Sequence, residues 1–283
     1  MVIHPLLQSC STSGKQLSLR YYAVADSPQG LSCRWSRLIY LNRMRVPYVR
    51  VFLLAAPAIV ACYSVPPPPN PFVVSEQEFF DSVETIVVAS ATVMGEIPMA
   101  DSILTYLETL IEGKLREAGL TVIPASEYYA IWQRISELTG GFYDPYSGEQ
   151  DEEKYQIALD SMYAELADRF DFDAIMYPEV WEVVAPFEGG EATWGGVTRL
   201  ILGARGYSGE VRAATLYLVV QDKAGNELYA HEAGIQLLEY MQRGQLISIE
   251  PERLFEDTTW TVAAVLEALG PIIRTNSAST QPP

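Results

Sequence analysis

The stretch from Met44 to Pro71 divides this chain and limits what can fold on either side of it. It reads MRVPYVRVFLLAAPAIVACYSVPPPPNP. Arg45 and Arg50 make a positive start, Val51 to Ala58 is a short apolar run, and small residues follow. That is the build of a secretory signal peptide. The uncharged stretch from Val51 to Val65 counts 15 residues, with Pro57 inside it. A helix needs roughly 18–20 residues to span a bilayer, so a membrane-crossing segment is the weaker reading. Pro66 to Pro69 then favour extended polyproline II, a stiff spacer that no sheet or helix crosses. A folded domain is therefore expected only beyond it.

The charge divides at the same place. Residues 1–61 carry 7 basic and 1 acidic residue, a net +6, whereas residues 62–283 carry 12 basic and 35 acidic, a net −23. So acidic a body argues against nucleic acid, whose phosphates are held by Lys and Arg. Three cysteines in 283 residues exclude a disulfide scaffold.

Ile59-Val60-Ala61-Cys62 resembles a bacterial lipobox, with Ile and Val in place of the familiar Leu and Ala or Ser. The resemblance implies cleavage between Ala61 and Cys62 and a lipid (palmitate-type acylation) on Cys62 that holds the protein at a membrane. Tyr63 stands where Asp often marks inner-membrane retention, so the periplasmic face of the outer membrane is the expected location. Met44 sits where such a signal would start. Residues 1–43 are then an over-long or disordered extension and 44–61 the signal. Residues 62–80 are the lipidated tether, 81–274 one domain and 275–283 a frayed tail.

Within 81–274 the pattern is α/β. Thr85 to Thr92 is a buried strand, β-branched and uncharged. Asp101 can cap a helix over 100–118 whose apolar residues Leu104, Leu107, Ile111, Leu115 and Ala118 share a face, with Gly119 as its left-handed end. Leu120 to Ile123 is a second strand; strand, helix and strand predict a right-handed parallel unit. Helices follow from Ser126 to Thr139 and from Glu152 to Arg169. A strand spans 174–184, where Pro178 requires an edge or a bulge. A hairpin pairs Gly209–Asp222 with Glu227–Leu237, and a last helix runs from about Pro251 to Leu269.

This order, with Ala118-Gly119 leading to Pro124, Phe172-Asp173-Ala174, and the turn Asp222 to Gly225, resembles envelope lipoproteins related to CsgG and to the TolB amino-terminal-like fold. The resemblance covers most of Thr85 to Ile273. It implies an α+β domain with a mixed sheet of about five strands and helices packed on it. It also implies envelope proteins that assemble with themselves or with secretion and transport partners. It carries no catalytic residues.

The residues themselves name no reaction. Beyond Cys62 there is no cysteine and one histidine, His231, so a zinc or copper cluster is not expected, nor any cofactor. Gly206-Tyr207-Ser208-Gly209 is not a nucleophile elbow. Asp171/Asp173 and Glu179/Glu182 are the closest carboxylate pairs for acid–base work. The acidic run from Glu149 to Glu153 suits a helix N-terminus better than a calcium loop. The segment 187–209 separates two strands by more chain than compact domains commonly spend. It holds seven glycines, Trp194, and Leu200-Ile201-Leu202 between Arg199 and Arg205. A flexible loop and an interaction role stand level there. With Tyr143 and Tyr146 of the 142–150 loop, these are the candidate contact residues. The expected function is a non-enzymatic, lipid-anchored accessory subunit of an envelope complex. A carboxylate hydrolase using Glu179 and Glu182, or a small-ligand binder, remains the alternative.

Overall fold

The computed structural model describes residues 70–143 and 148–273. Order begins before residue 81, where the sequence places the domain boundary. Ser75 caps a helix, α1 (Glu76–Ser82), its hydroxyl accepting from the Glu78 N–H. Phe72 and Phe79 are buried, with ring centroids 5.2 Å apart. Burying an aromatic side chain is worth about 1.5–3 kcal/mol, enough to draw this part of the expected tether onto the body.

The first sheet segment is split. β1 (Thr85–Val88) and β2 (Thr92–Met94) replace the single strand expected over 85–92. The break is held from outside: the Ala91 N–H donates to Glu108 Oε1, at 2.8 Å. Glu108 lies on α2 (Asp101–Glu117), which starts one residue later than the sequence suggests. Asp101 is its first helical residue and not its cap, and Ala100 provides no side-chain cap. Gly119 closes the helix in a left-handed conformation, as expected. β3 (Thr121–Ile123) leads into α3 (Ala125–Thr139), which begins behind Pro124 and not at a Ser126 cap. Its first N–H, on Ala125, donates to Glu112 Oε1 of α2 at 2.9 Å, so the cap comes from a neighbouring helix. α4 (Glu152–Arg169) starts at an Asp151 cap, and its bounds match the sequence reading.

The remaining strands are β4 (Ala174–Glu188), β5 (Glu191–Trp194), β6 (Val197–Leu200), β7 (Gly209–Asp222) and β8 (Glu227–Leu237). A separate hairpin, β9 (Glu239–Gln242) and β10 (Gln245–Ser248), follows. After a 3-10 turn at Pro251–Arg253 comes α5 (Thr258–Ala268), so the expected last helix is two pieces. They part at Leu254 and Phe255, both buried, with Phe255 at φ 62°.

The fold is α+β on a mixed sheet, as the sequence implied. Across its width the order is β3, β1, β4, β7, β8. β1, β3 and β4 are parallel; β7 and β8 are antiparallel to their neighbours. β2 continues beside β4 in parallel, and the β5–β6 hairpin grows from the end of β4. Pro178 is not at an edge, since β4 has partners on both sides. It falls where β1 has ended at Met176 and β2 begins at Glu179, a place where the ladder is already interrupted.

Alternation along β1 sets the layers. Ile86 and Val88 point into a core shared with Leu107, Ile111 and Leu115 of α2 and Val265 of α5. Val87 and Ala89 point into a second core with Ile131 and Ile135 of α3 and Met162 and Leu166 of α4. A third cluster, with Phe187, Trp194, Ile201, Val211 and Met241, fills the end built from β5 and β6.

Candidate functional site

The Glu179 and Glu182 carboxylates do not converge. Residues 179 and 182 are three apart on a continuous strand, so their side chains leave opposite faces of the sheet. Glu182 forms a two-point ion pair with Arg212, Nε to Oε1 at 2.6 Å and Nη2 to Oε2 at 2.9 Å. It also accepts from the Glu96 N–H. Hydrogen bonding from Arg212 lowers its pKa, against a smaller effect of burial. Glu179 is 9% exposed and accepts from Trp181 Nε1 at 2.7 Å. Burial raises its pKa, and the indole only partly offsets that. Asp173 accepts from the N–H groups of Glu84 and Thr85, and Asp171 pairs with Lys223 at 3.5 Å. Each of these carboxylates has a structural duty. His231 lies with Nδ1 3.3 Å from the Ala268 carbonyl. Among the described residues no group of three or more His, Cys, Asp and Glu could hold a metal ion. Nor is any helix there long and apolar enough to cross a membrane.

The 187–209 segment is a built hairpin and not an open loop. At three of its glycines, Gly190, Gly195 and Gly203, backbone meets backbone. A Cβ on Gly195 would stand 2.5 Å from the Gly234 nitrogen, and one on Gly203 would stand 2.1 Å from the Met241 carbonyl oxygen. The same approaches make hydrogen bonds: Gly234 N–H to Gly195 O and Met241 N–H to Leu202 O, both 2.8 Å. No larger residue permits these contacts.

This packing sorts the candidate contact residues into two groups. Trp194 and Ile201 turn inward; both are buried, and Trp194 Nε1 donates to the Ala214 carbonyl at 3.1 Å. They are core and not contact residues. Leu200 and Leu202 turn outward, each 76% exposed. Arg199 reaches from β6 to α5, and its guanidinium carbon sits 3.7 Å from the centroid of the Trp260 ring, over its face. Burial lowers the Arg199 pKa, and its Nε is buried with no hydrogen-bond partner. Arg205 is exposed. Tyr143 is exposed at the α3–α4 connection, where it bridges to Gln150. It belongs to the α3–α4 end and not to the hairpin. Tyr146, Ala61 and Cys62 lie outside the described residues.

The outward group lines a groove of about 540 Å³. Arg199, Leu200 and Leu202 line it, together with Tyr240, Arg253 and Trp260. The last three were not legible in advance. They come from the β9–β10 hairpin, the 3-10 turn and the first turn of α5, which no local pattern ties to residue 199.

The surrounding charge is uneven. Lys114, Arg116, Arg134, Lys154, Arg169, Arg212 and Lys223 each pair with a carboxylate. Arg199, Arg205, Arg243 and Arg253 are the other basic residues in the described chain, and none makes an ion pair with a described residue. All four lie on β6, the loop after it, the β9–β10 turn or the 3-10 turn. Among the described residues, two of these cations without an ion pair, Arg199 and Arg253, line the groove together with Leu200 and Leu202.

No family model matches the chain, and no curated protein matches it. Among solved structures, the chain is similar to a PelC dodecamer from Paraburkholderia phytofirmans, at 12% identity and a TM-score of 0.30. The match covers 68% of this chain and 89% of that one. A substituted form of the same dodecamer gives 10% identity and a TM-score of 0.27, over 68% and 90%. A likeness of that size assigns no function.

Proposed function

We propose that this chain is a non-enzymatic, lipid-anchored subunit that assembles into a cell-envelope complex, through the surface around Leu200 and Leu202. The observation that supports it most directly is the pair of leucines, each 76% exposed and held on a hairpin fixed by backbone contacts. Exposed apolar side chains grouped with arginine and an aromatic ring have the composition of an interface centre. The carboxylates that a hydrolase would use are engaged elsewhere and on opposite faces. The lipobox-like Ile59 to Cys62 supports attachment to the membrane, and the proline segment after it supports a tethered body. The CsgG-like and TolB-like resemblance favours an envelope setting, with the outer membrane as the surface.

Two measurements test this. A fatty-acid probe should label the wild type and not Cys62→Ser; equal labelling removes the anchor. Detergent extracts should hold a species larger than the monomer by light scattering, and Leu200→Asp with Leu202→Asp should reduce it to the monomer. A monomeric wild type, or a complex indifferent to both changes, overturns the assembly role.

A further inference from the structure

We infer that the groove between Arg199 and Trp260 is a docking site for an acidic, partly apolar peptide segment of a partner protein, a carboxylate on the partner seating against Arg199 and Arg253. The inference rests on the assembly role and specifies the chemistry of the partner.

Four observations carry it. First, Arg199 is placed and unfinished. The guanidinium carbon lies 3.7 Å from the Trp260 ring centroid, which holds the group in place, and its Nε is buried without an acceptor. A guanidinium held this way is preorganised for two parallel bonds to a carboxylate. Second, Arg253 lines the same groove and is likewise without an ion pair among the described residues. Third, the carboxylates that share the groove do not complete either arginine. Glu239 accepts from the Arg212 N–H, Asp257 caps α5 by accepting from the Thr259 N–H, and Glu256 reaches neither arginine within ion-pair distance. Fourth, Leu200 and Leu202 are exposed and line the same groove, so they offer apolar contact beside the arginines.

The shape favours a peptide over a lipid surface. A bilayer presents phosphates on a broad plane, whereas Arg199 lies inside a concavity that also displays Glu239, Glu256 and Asp257. A protruding side chain reaches Arg199, and the backbone N–H groups beside it can donate to the acidic rim.

The test uses the full chain in a non-ionic detergent and short fluorescein-labelled peptides of alternating Glu and Leu. Peptides with Gln or Lys in place of Glu are the controls. Anisotropy should show the Glu peptide binding about tenfold or more tightly than the Gln peptide, with affinity falling as salt rises. Arg199→Gln should weaken it about tenfold. Arg253→Gln, on the exposed rim where folding is not at stake, should do the same. Arg243→Gln, which lies outside the groove, should change it by less than about twofold. Equal binding of Glu and Gln peptides overturns the inference, and so does insensitivity to both groove arginines. Sedimentation with phosphatidylglycerol vesicles that depends on Arg205 and Arg243 as much as on Arg199 would replace the peptide with a lipid surface. Self-association that depends on Arg199, with no peptide bound, would replace it with a second copy. If the detergent-extracted complex forms and needs Leu200 while the Glu peptide fails, the peptide chemistry falls and the assembly role stands. If the peptide binds to a chain that is always a monomer, the reverse holds.

Discussion

The two ends of this molecule both have packed cores, but one of them adds close backbone crossings. Around β1, β3 and the start of β4, large side chains fill the space: Ile111, Leu115, Ile131, Met162 and Leu166 are all fully buried between helices and sheet. Around β5 and β6 the close contacts come from side chains that are missing, where Gly195 meets Gly234 and Gly203 meets Met241. The first end is a core that any residue of similar volume could fill in part. The second tolerates one residue at each crossing. Its position is therefore set by backbone as well as by the buried Trp194 and Ile201, which leaves the outward Leu200 and Leu202 free for another task.

The comparison can be broken by substitution. At the helical end, Ile111→Ala should cost about 4 kcal/mol in a denaturant titration, the loss of a fully buried side chain plus the cavity it leaves. At the hairpin end, Gly203→Ala should cost about 3 kcal/mol, because the added carbon meets a carbonyl and the Met241-to-Leu202 bond must open. A cost below about 0.5 kcal/mol would show that the hairpin does not need that approach. Gly196→Ala sharpens the point. Its φ is +74° but its Cβ would meet nothing within 4 Å, so backbone strain alone sets the cost, about 1 kcal/mol.

The smallest effect divides the two faces of β4 by pH. The Glu182 pKa lies below the ordinary 4.5, so its contribution is present above that value and is lost as pH falls through the lowered one. Glu182→Gln should therefore be less stable than wild type at neutral pH and converge with it in acid. Glu179 has the opposite sign. Its raised pKa means its contribution is present below 4.5 and disappears as pH rises through the raised value. Glu179→Gln keeps an acceptor for Trp181 and should gain on wild type as pH rises. Thermal unfolding at several pH values reads both; parallel curves for the two variants would contradict the assignment of faces.

These contrasts also explain what the sequence made legible. β7, β8 and α4 match their expected bounds, because their period and end signals are local: the Asp222-to-Gly225 turn, the Asp151 cap. The buried stripe on α2 is equally plain. What failed was set from far away. β1 ends early because Glu108 holds Ala91, and α3 starts at Ala125 because Glu112 caps it. The glycines of 187–209 read as looseness because their partners, Gly234 and Met241, lie outside the segment. Four of the eight contact residues named in advance, Arg199, Leu200, Leu202 and Arg205, face outward on the hairpin or the loop beyond it. Trp194 and Ile201 did not, since composition cannot tell which side of a strand meets a core.

The entry of the chain into the fold has a mechanical side. The Val73 N–H donates to the Leu228 carbonyl and the Ala230 N–H to the Pro71 carbonyl, both near 3.0 Å, so residues 71–73 lie along the edge of β8. Phe72 is wedged between Phe79 and Tyr229. Any tension on the chain ahead of Asn70 is thus borne by sheet bonds and an aromatic wedge together, and not by the frayed end of a helix. The same strip covers the backbone groups of β8 that would otherwise be open to a stray strand. A pull strong enough to peel it away would do two things at once: lengthen the chain ahead of the body and expose a sticky edge.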